Sequence, residues 1–377
     1  MTDSIPLFEI SWDINDVKNV VDSVGRGGYW AKGPYIDEFE NKLASYLDVE
    51  HALVVNSGTT AIHAILESLS LESTDEVIVP SFTQQATVNA VRLAGATPVF
   101  ADIETETYGL DPDAVRNTLT DRTKAILPVH VYGSVCRIDE LRTIADEHEL
   151  TLVEDAAEAL GAHRDGVYAG TVGDAAALSF CQNKIVATGE GGAVVTDDDD
   201  IAARVKLFRS HGRTSTDYFD SAKSGRHVSV GGNYRMPDIV AALGVSQMEK
   251  IESLIEGRRQ AATEMNDAFE QIPGVTPHTL ENGRHVYQFY TVTFDEAIDR
   301  DAVIEILSKR GISSKVYWDP SVHQSDYYCD RHSDVELPVT ERISGQVLSL
   351  PIHPELSPEE TARVIEGVAD ACEELYK

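Results

Sequence analysis

The chain has 377 residues, enough for more than one hydrophobic core, and its 63 acidic side chains against 31 basic ones give a formal net charge of −32. Such an excess excludes nucleic acid and anionic membrane surfaces as partners, because binding phosphate groups needs cationic surface. Carboxylates this dense repel one another in dilute buffer and are screened in concentrated salt, so the composition predicts a halophilic setting.

Cys136, Cys181, Cys329 and Cys372 form no CxxC pair, which argues against a disulfide framework or a zinc site and predicts reduced thiols. The opening Met-Thr-Asp-Ser-Ile-Pro lacks the basic start and apolar core of a signal peptide. No apolar run reaches the roughly 18 residues of a membrane span, so a cytoplasmic protein is expected.

In chain order, Trp30, Gly33 and Pro34 lead into Phe39, Leu43 and Leu47, whose spacing predicts an amphipathic helix with those three in the core. Short apolar runs follow at 52–55, 76–79, 97–101, 124–129 and 151–153, separated by stretches of helical periodicity. Strand–helix–strand alternation predicts an α/β fold with a mostly parallel sheet and helices on both faces. Ligands bind such sheets beyond the carboxyl ends of the strands.

Those ends carry the candidate chemistry. The first strand runs into Asn56-Ser57-Gly58-Thr59-Thr60 at a helix start. Free N–H groups, a hydroxyl and the helix dipole can cradle a phosphate there, while a plain cap by Ser57 or Thr59 is the simpler alternative. The second strand ends in Pro80-Ser81-Phe82-Thr83-Gln84-Gln85-Ala86-Thr87, which also opens a helix. The fifth ends in Glu154-Asp155-Ala156-Ala157-Glu158, where Asp155 plants a carboxylate at the sheet edge. Burial there demands a cationic partner, such as a protonated ring nitrogen, unless Asp155 is a helix cap.

Lys184 lies between two further apolar runs, 175–180 and 193–196, with Gly189, Gly191 and Gly192 permitting a tight path between them. Ile185, Val186 and Ala187 would desolvate its ammonium and favour the neutral amine that attacks carbonyls; a solvent-facing turn lysine is the alternative. Asp197 to Asp200 reads as a solvated turn before a helix at 201–208, and 212–232, rich in Ser, Thr and Gly, as a mobile lid. Asn233-Tyr234-Arg235-Met236-Pro237-Asp238 leads into one long helix, 239–269.

The remainder reads as a smaller α+β unit, with a strand at 286–294, a helix at 302–310, a polar aromatic loop from Tyr317 to His323 and a terminal helix from Ser357. Two domains are expected, 1–245 and 246–377. No GxGxxG, GxxxxGK[ST], HExxH or GxSxG string occurs, so dinucleotide, nucleoside-triphosphate, zinc-protease and α/β-hydrolase readings lack their marks.

Phosphate donors near the first strand, then a sheet-edge carboxylate and then an amine resemble the nucleotide-sugar aminotransferases of the DegT/StrS family, which are fold type I pyridoxal phosphate enzymes. The resemblance spans almost the whole chain. It runs from Trp30, Gly33 and Pro34 through Asn56-Ser57-Gly58-Thr59, Glu154-Asp155-Ala156-Ala157-Glu158, Ser179-Phe180 with Lys184, Thr188-Gly189-Glu190-Gly191-Gly192 and Asn233-Tyr234-Arg235-Met236 to Leu350-Pro351-Ile352-His353-Pro354. It implies that Lys184 holds pyridoxal 5'-phosphate covalently and shuttles the proton, and that Asp155 pairs with the pyridine nitrogen. Gly58, Thr59 and Ser179 match phosphate contacts, Asn233 one donated across a homodimer interface, and Glu158 a polar group near the ring hydroxyl. L-glutamate is the implied amine donor and a nucleotide-linked keto-sugar the acceptor. Within the family the strings look most like perosamine-synthase-type enzymes, which aminate a 4-keto-6-deoxyhexose. Tyr317 and His323 are candidate contacts to sugar or nucleotide.

One position departs from the family pattern. Gln84 stands where members carry an aromatic residue stacked on the cofactor ring; a planar amide offers less apolar contact, which predicts weaker cofactor retention or a shifted ring. Two other readings stay open: a dehydratase of the same family, which has histidine where this chain has Lys184, and a pyridoxal phosphate-binding regulatory or structural protein without turnover.

Overall fold

The computed structural model describes residues 4–214 and 225–375. The early apolar runs form strands, four of which lead on to helices, β1 (His51–Val55), β2 (Glu76–Pro80), β3 (Thr97–Ala101) and β4 (Thr123–Ile126), while β5 (Thr151–Asp155) runs into a turn. After a short hairpin of β6 (His163–Arg164) and β7 (Val167–Tyr168) come β8 (Ala175–Ser179) and β9 (Gly192–Thr196). The main sheet has the order β1-β9-β8-β5-β4-β2-β3 and is parallel from β8 out to β3. β9 alone runs against its neighbours β1 and β8. Its direction follows from the connection through 180–191, which contains no crossover helix, so the chain must return antiparallel beside β8.

Both faces of the sheet are covered, which is why the strand runs are apolar throughout rather than alternating. On one face Val54 and Ile78 pack with Phe39, Leu43 and Leu47 of the helix Pro34–Leu47. On the other, Leu53, Val55 and Val79 pack with Ile62 and Ile65 of the helix Gly58–Ser68. The Pro34–Leu47 helix lies tight against the helix Asp238–Glu249: a Cβ on Gly244 would come 2.4 Å from the Phe39 ring, so only glycine permits this approach.

The second half builds a smaller antiparallel sheet, β10 (Val275–Pro277), β12 (Tyr290–Phe294) and β13 (Val347–Leu350), while β11 (Gly283–Arg284) joins the β6–β7 hairpin. Its core, with Phe269, Phe294, Leu307, Leu348 and Val364, also takes in Ile5 from the start of the chain. Ser357 and Glu360 form the reciprocal cap of the terminal helix Pro358–Leu375, with the Ser357 N–H donating to Glu360 at 3.0 Å and the Glu360 N–H to Ser357 Oγ at 3.2 Å.

Three expectations about elements are corrected. The single helix 239–269 is two, Asp238–Glu249 and Ile251–Phe269, because Lys250 leaves helical geometry (φ −113°, ψ 8°) and its ammonium bridges Asp13 and Asp16 of the first helix region. The strand predicted over 286–294 starts only at Tyr290, since Tyr287 sits at φ 48°, outside extended geometry. The run 124–129 stops being a regular strand after Ile126. Of the lid predicted over 212–232, residues 215–224 lie outside the described residues. Among the described residues no helix is long and apolar enough to cross a membrane.

Candidate active site

The carboxyl ends of the strands surround a cavity of about 300 Å³, lined by Gly58, Thr59, Gln84, Asp155, Glu158, Ser179, Lys184 and Tyr317, among others. Eight of the sequence candidates thus meet at one place, the place the parallel sheet predicts.

Lys184 sits in the β8–β9 connection, which is held from inside and outside. Its own N–H donates to Cys181 O at 2.9 Å, closing a turn. Gln288 then clamps the loop from the second half of the chain: the Ile185 N–H donates to Gln288 Oε1 at 3.1 Å, and Gln288 Nε2 donates to Asn183 O at 2.6 Å. Ile185, Val186 and Ala187 are buried, so the solvent-facing turn is excluded. The Lys184 side chain is 13 % exposed and its Nζ lies 3.3 Å from Glu158 Oε1. Its surroundings are therefore not purely apolar, as the neighbouring residues predicted; a carboxylate shares them.

Asp155 ends β5 and is 5 % exposed. Its Oδ2 accepts from the Thr87 hydroxyl at 2.7 Å and its Oδ1 from the Ala157 N–H at 3.1 Å. No helix follows it, so the capping alternative is also excluded. Burial pushes its pKa above the ordinary carboxylate value, with Thr87, Ala157 and the charge of Lys184 opposing. Glu158 is likewise raised by burial, against the nearby Lys184 ammonium and the Tyr132 N–H, which donates to its Oε2 at 3.0 Å.

The preceding residue, Glu154, points to the other side and serves the scaffold. Its carboxylate accepts backbone N–H groups of Gly170, Val172 and Gly173 at 2.8, 2.8 and 2.6 Å and meets the buried His130 Nε2 at 2.6 Å. These contacts keep its pKa low despite its burial.

At the opposite wall, Ser57 caps the helix Gly58–Ser68 by accepting the Thr60 N–H at 3.1 Å. The capping and cradle readings coexist, because the first-turn amides at Gly58 and Thr59 still lack intrahelical acceptors. A Cβ on Gly58 would lie 2.9 Å from Ser179 Cβ and 3.1 Å from its Oγ, so glycine alone lets the end of β8 approach this helix start. Gln84 caps the next helix through its own side chain, 2.7 Å from the Gln85 N–H, and is exposed on the cavity wall.

Two candidates stand apart. Asn233 is exposed and bridges Ser210 outside the cavity. His323 is 4 % exposed and does not line the cavity; its Nδ1 lies 2.7 Å from Ser81 Oγ and its N–H donates back to the same oxygen at 2.9 Å. Burial lowers its pKa, although Glu341 opposes. It fastens the loop to the end of β2. Tyr317 does line the cavity, stacked on Phe289 with centroids 4.1 Å apart, and burial followed by the charge of Glu158 pushes its phenol up to about 12. Gln288, Thr87, Phe289, Lys315 and Trp318 belong to the site or its support and were not named as candidates, although Thr87 lay in the string after the second strand and Trp318 in the aromatic loop already singled out.

The sequence pattern of the DegT/DnrJ/EryC1/StrS aminotransferase family matches residues 13–369. The chain belongs to this family. It is 39% identical over 337 residues to the GDP-perosamine synthase of Caulobacter vibrioides, covering 88% of this chain and 89% of the relative. Among solved structures, Helicobacter pylori PseC, an aminotransferase involved in the biosynthesis of pseudoaminic acid, matches with a TM-score of 0.93 at 30% identity, over 99% of this chain and 100% of that one. The PLP-form of the sugar aminotransferase Spr1654 from Streptococcus pneumoniae matches with a TM-score of 0.92 at 27% identity, over 99% and 100%.

The aminotransferase fold is therefore the pyridoxal phosphate-dependent one, and pyridoxal 5'-phosphate is the cofactor. The residues present fit it. Asp155 is a buried carboxylate with no ion pair among the described residues, which a protonated pyridine nitrogen would supply. The close approach of Gly58 and Ser179 leaves a cradle that a Cβ would fill, and Lys184 brings an amine to the same cavity. A lysine at position 184 also separates this aminotransferase from the dehydratase reading, which needs histidine there.

Proposed function

We propose that the enzyme moves the amino group of L-glutamate to the keto carbon of a nucleotide-linked 4-keto-6-deoxyhexose, for a surface polysaccharide or other glycan. The observation that carries this reading is the convergence of Lys184, Asp155 and the Gly58–Ser179 cradle on one cavity. The perosamine synthase relative, at 39% identity, supports the sugar class.

Lys184 would hold the cofactor, Asp155 its ring nitrogen, and Gly58, Thr59 and Ser179 its phosphate. Bound there, pyridoxal phosphate supplies the electron sink that lets the C–H bond beside the transferred nitrogen ionise. Lys184 Nζ would take that proton and give it back as the transfer proceeds. Glu158, 3.3 Å away, holds the ammonium in the cavity while it carries the proton. Asp155, raised by burial on its own, would be kept ionised by pairing with the protonated ring nitrogen. Phe289 and Tyr317, stacked at 4.1 Å, close one side of the cavity to water.

Asn233, exposed and outside its own cavity, supports a homodimer in which each subunit completes the other's phosphate site. Ile14, Val17, Val21 and Val24 form an exposed apolar stripe on the helix Ile14–Gly25, consistent with such a contact. The acidic surface supports residence in a saline cytoplasm. Borohydride reduction of the holoenzyme should leave the cofactor's mass on the Lys184 peptide, and Lys184→Arg should abolish glutamate-dependent amination across a panel of nucleotide keto-sugars. An unlabelled peptide, or undiminished transfer by the variant, refutes the assignment.

A further inference from the structure

The walls of the catalytic cavity carry three carboxylates, Asp155, Glu158 and Glu190, against two ammonium groups, Lys184 and Lys315. Lys184 is committed, lying 3.3 Å from Glu158 and assigned above to the cofactor. Both substrates of the proposed reaction are anions, and a net-negative cavity repels them. Among the described residues that line the cavity, Lys315 is the cation left to offset that repulsion.

Its placement suits the task. The Lys315 N–H donates to Ser349 O at 3.0 Å and its carbonyl accepts from the Ser349 N–H at 2.8 Å, so its backbone is an added rung on β13 and is fixed by the smaller sheet. The side chain lies over the Tyr317 ring, with Nζ 4.9 Å from the centroid, and that ring is in turn stacked on Phe289. Among the described residues no carboxylate comes within ion-pair distance of it. The same cavity has a second donor among its lining residues: Trp318, packed edge-on to Tyr317 with centroids 5.9 Å apart, has a buried indole N–H with no acceptor among the described residues. Buried donors without acceptors are rare, and one on a substrate cavity points to an acceptor that arrives with the substrate.

We propose that Lys315, on a cavity wall shared with Trp318, receives the oxyanion group of each substrate in turn, the carboxylate of the amine donor and then the diphosphate of the nucleotide-linked sugar. This rests on the function proposed above for the identity of the two substrates. Transfer through one cofactor makes them occupy one cavity successively, so a single anion receiver can serve both. A lysine suits two differently shaped anions, since its compact ammonium on a flexible stem imposes no planar fork.

Lys315→Met keeps a stem to cover Tyr317 and removes the charge; Lys315→Arg keeps the charge. In Lys315→Met the two half-reactions, followed separately by single turnover, should each need at least about tenfold more substrate for half-saturation, with limiting rates within about threefold of wild type; a tenfold loss is about 1.4 kcal/mol. Lys315→Arg should recover most of the affinity. Calorimetric binding of glutarate, an unreactive dicarboxylate, to the holoenzyme should weaken by the same factor. A rise confined to one half-reaction overturns the shared receiver, and glutarate binding equal to wild type overturns the site. Borohydride labelling of Lys184 is the separate control: label present with unchanged affinities sinks this proposal alone, whereas absent label in the wild-type protein sinks the function reading on which it stands.

Discussion

Asp155→Asn isolates a buried charge from the hydrogen bonds around it. The asparagine oxygen can keep the Ala157 N–H, now 3.1 Å from Oδ1, while its amide donates to the Thr87 oxygen, now 2.7 Å from Oδ2. Thr87 can then turn its proton to Thr83 Oγ1, already 2.8 Å away. The second amide hydrogen is left to solvent in the cavity that this residue lines, so the cofactor-free variant should match wild type within about 0.5 kcal/mol or exceed it.

The pH dependence has a definite sign. Burial raises the Asp155 pKa above its ordinary 3.8, so across that window the native state keeps a proton that the unfolded chain has lost. Wild-type stability without cofactor therefore falls as pH rises through the window, and the loss persists at neutral pH; asparagine is spared it. With cofactor the order reverses. The variant lacks a charge-assisted contact to the ring nitrogen, worth about 1.5–3 kcal/mol, or roughly 10- to 150-fold in affinity. Urea melts of the cofactor-free and cofactor-saturated proteins at several pH values, with titration of cofactor into the free protein, measure both effects. A cofactor-free variant far less stable than wild type, or one binding pyridoxal phosphate equally well, refutes the reasoning.

Gly58→Ala places a methyl 2.9 Å from Ser179 Cβ, an atom too close to the backbone to swing aside, so the strand end or the helix start must shift. Overpacking of this kind costs about 1–3 kcal/mol, and cofactor affinity should drop tenfold or more; an unchanged melt and an unchanged titration together would contradict the cradle. The charge of −32 predicts that dialysis from molar salt to about 10 mM, where the Debye length grows to about 30 Å, lowers the melting temperature by several degrees and reduces activity. Salt-independent melting would remove the halophilic reading.

The alternation of strands and helices was legible in the sequence because burial on both faces writes itself locally, as unbroken apolar runs such as Val77, Ile78 and Val79. The direction of β9 was not, since it depends on what the connection before it lacks. Asp155 could be named because it ends an apolar run and Lys184 because it lies between two, where a charged residue is conspicuous, whereas Glu158 was named only through the family resemblance. His323 looked equally suitable in its aromatic loop, but its ring turns to Ser81, a residue 242 positions away, and no local pattern encodes that choice.

What the sequence alone determined was the α/β layout and the chemical groups at the strand ends, because periodicity and residue type act over a few neighbours. Only the tertiary structure decided which groups share the cavity. Gln288 clamps the lysine loop across 103 residues, and Lys315 enters the wall because its backbone pairs with Ser349 of a different sheet. Such contacts arise when separate cores pack together, and their energy depends on a spatial arrangement that chain order does not carry.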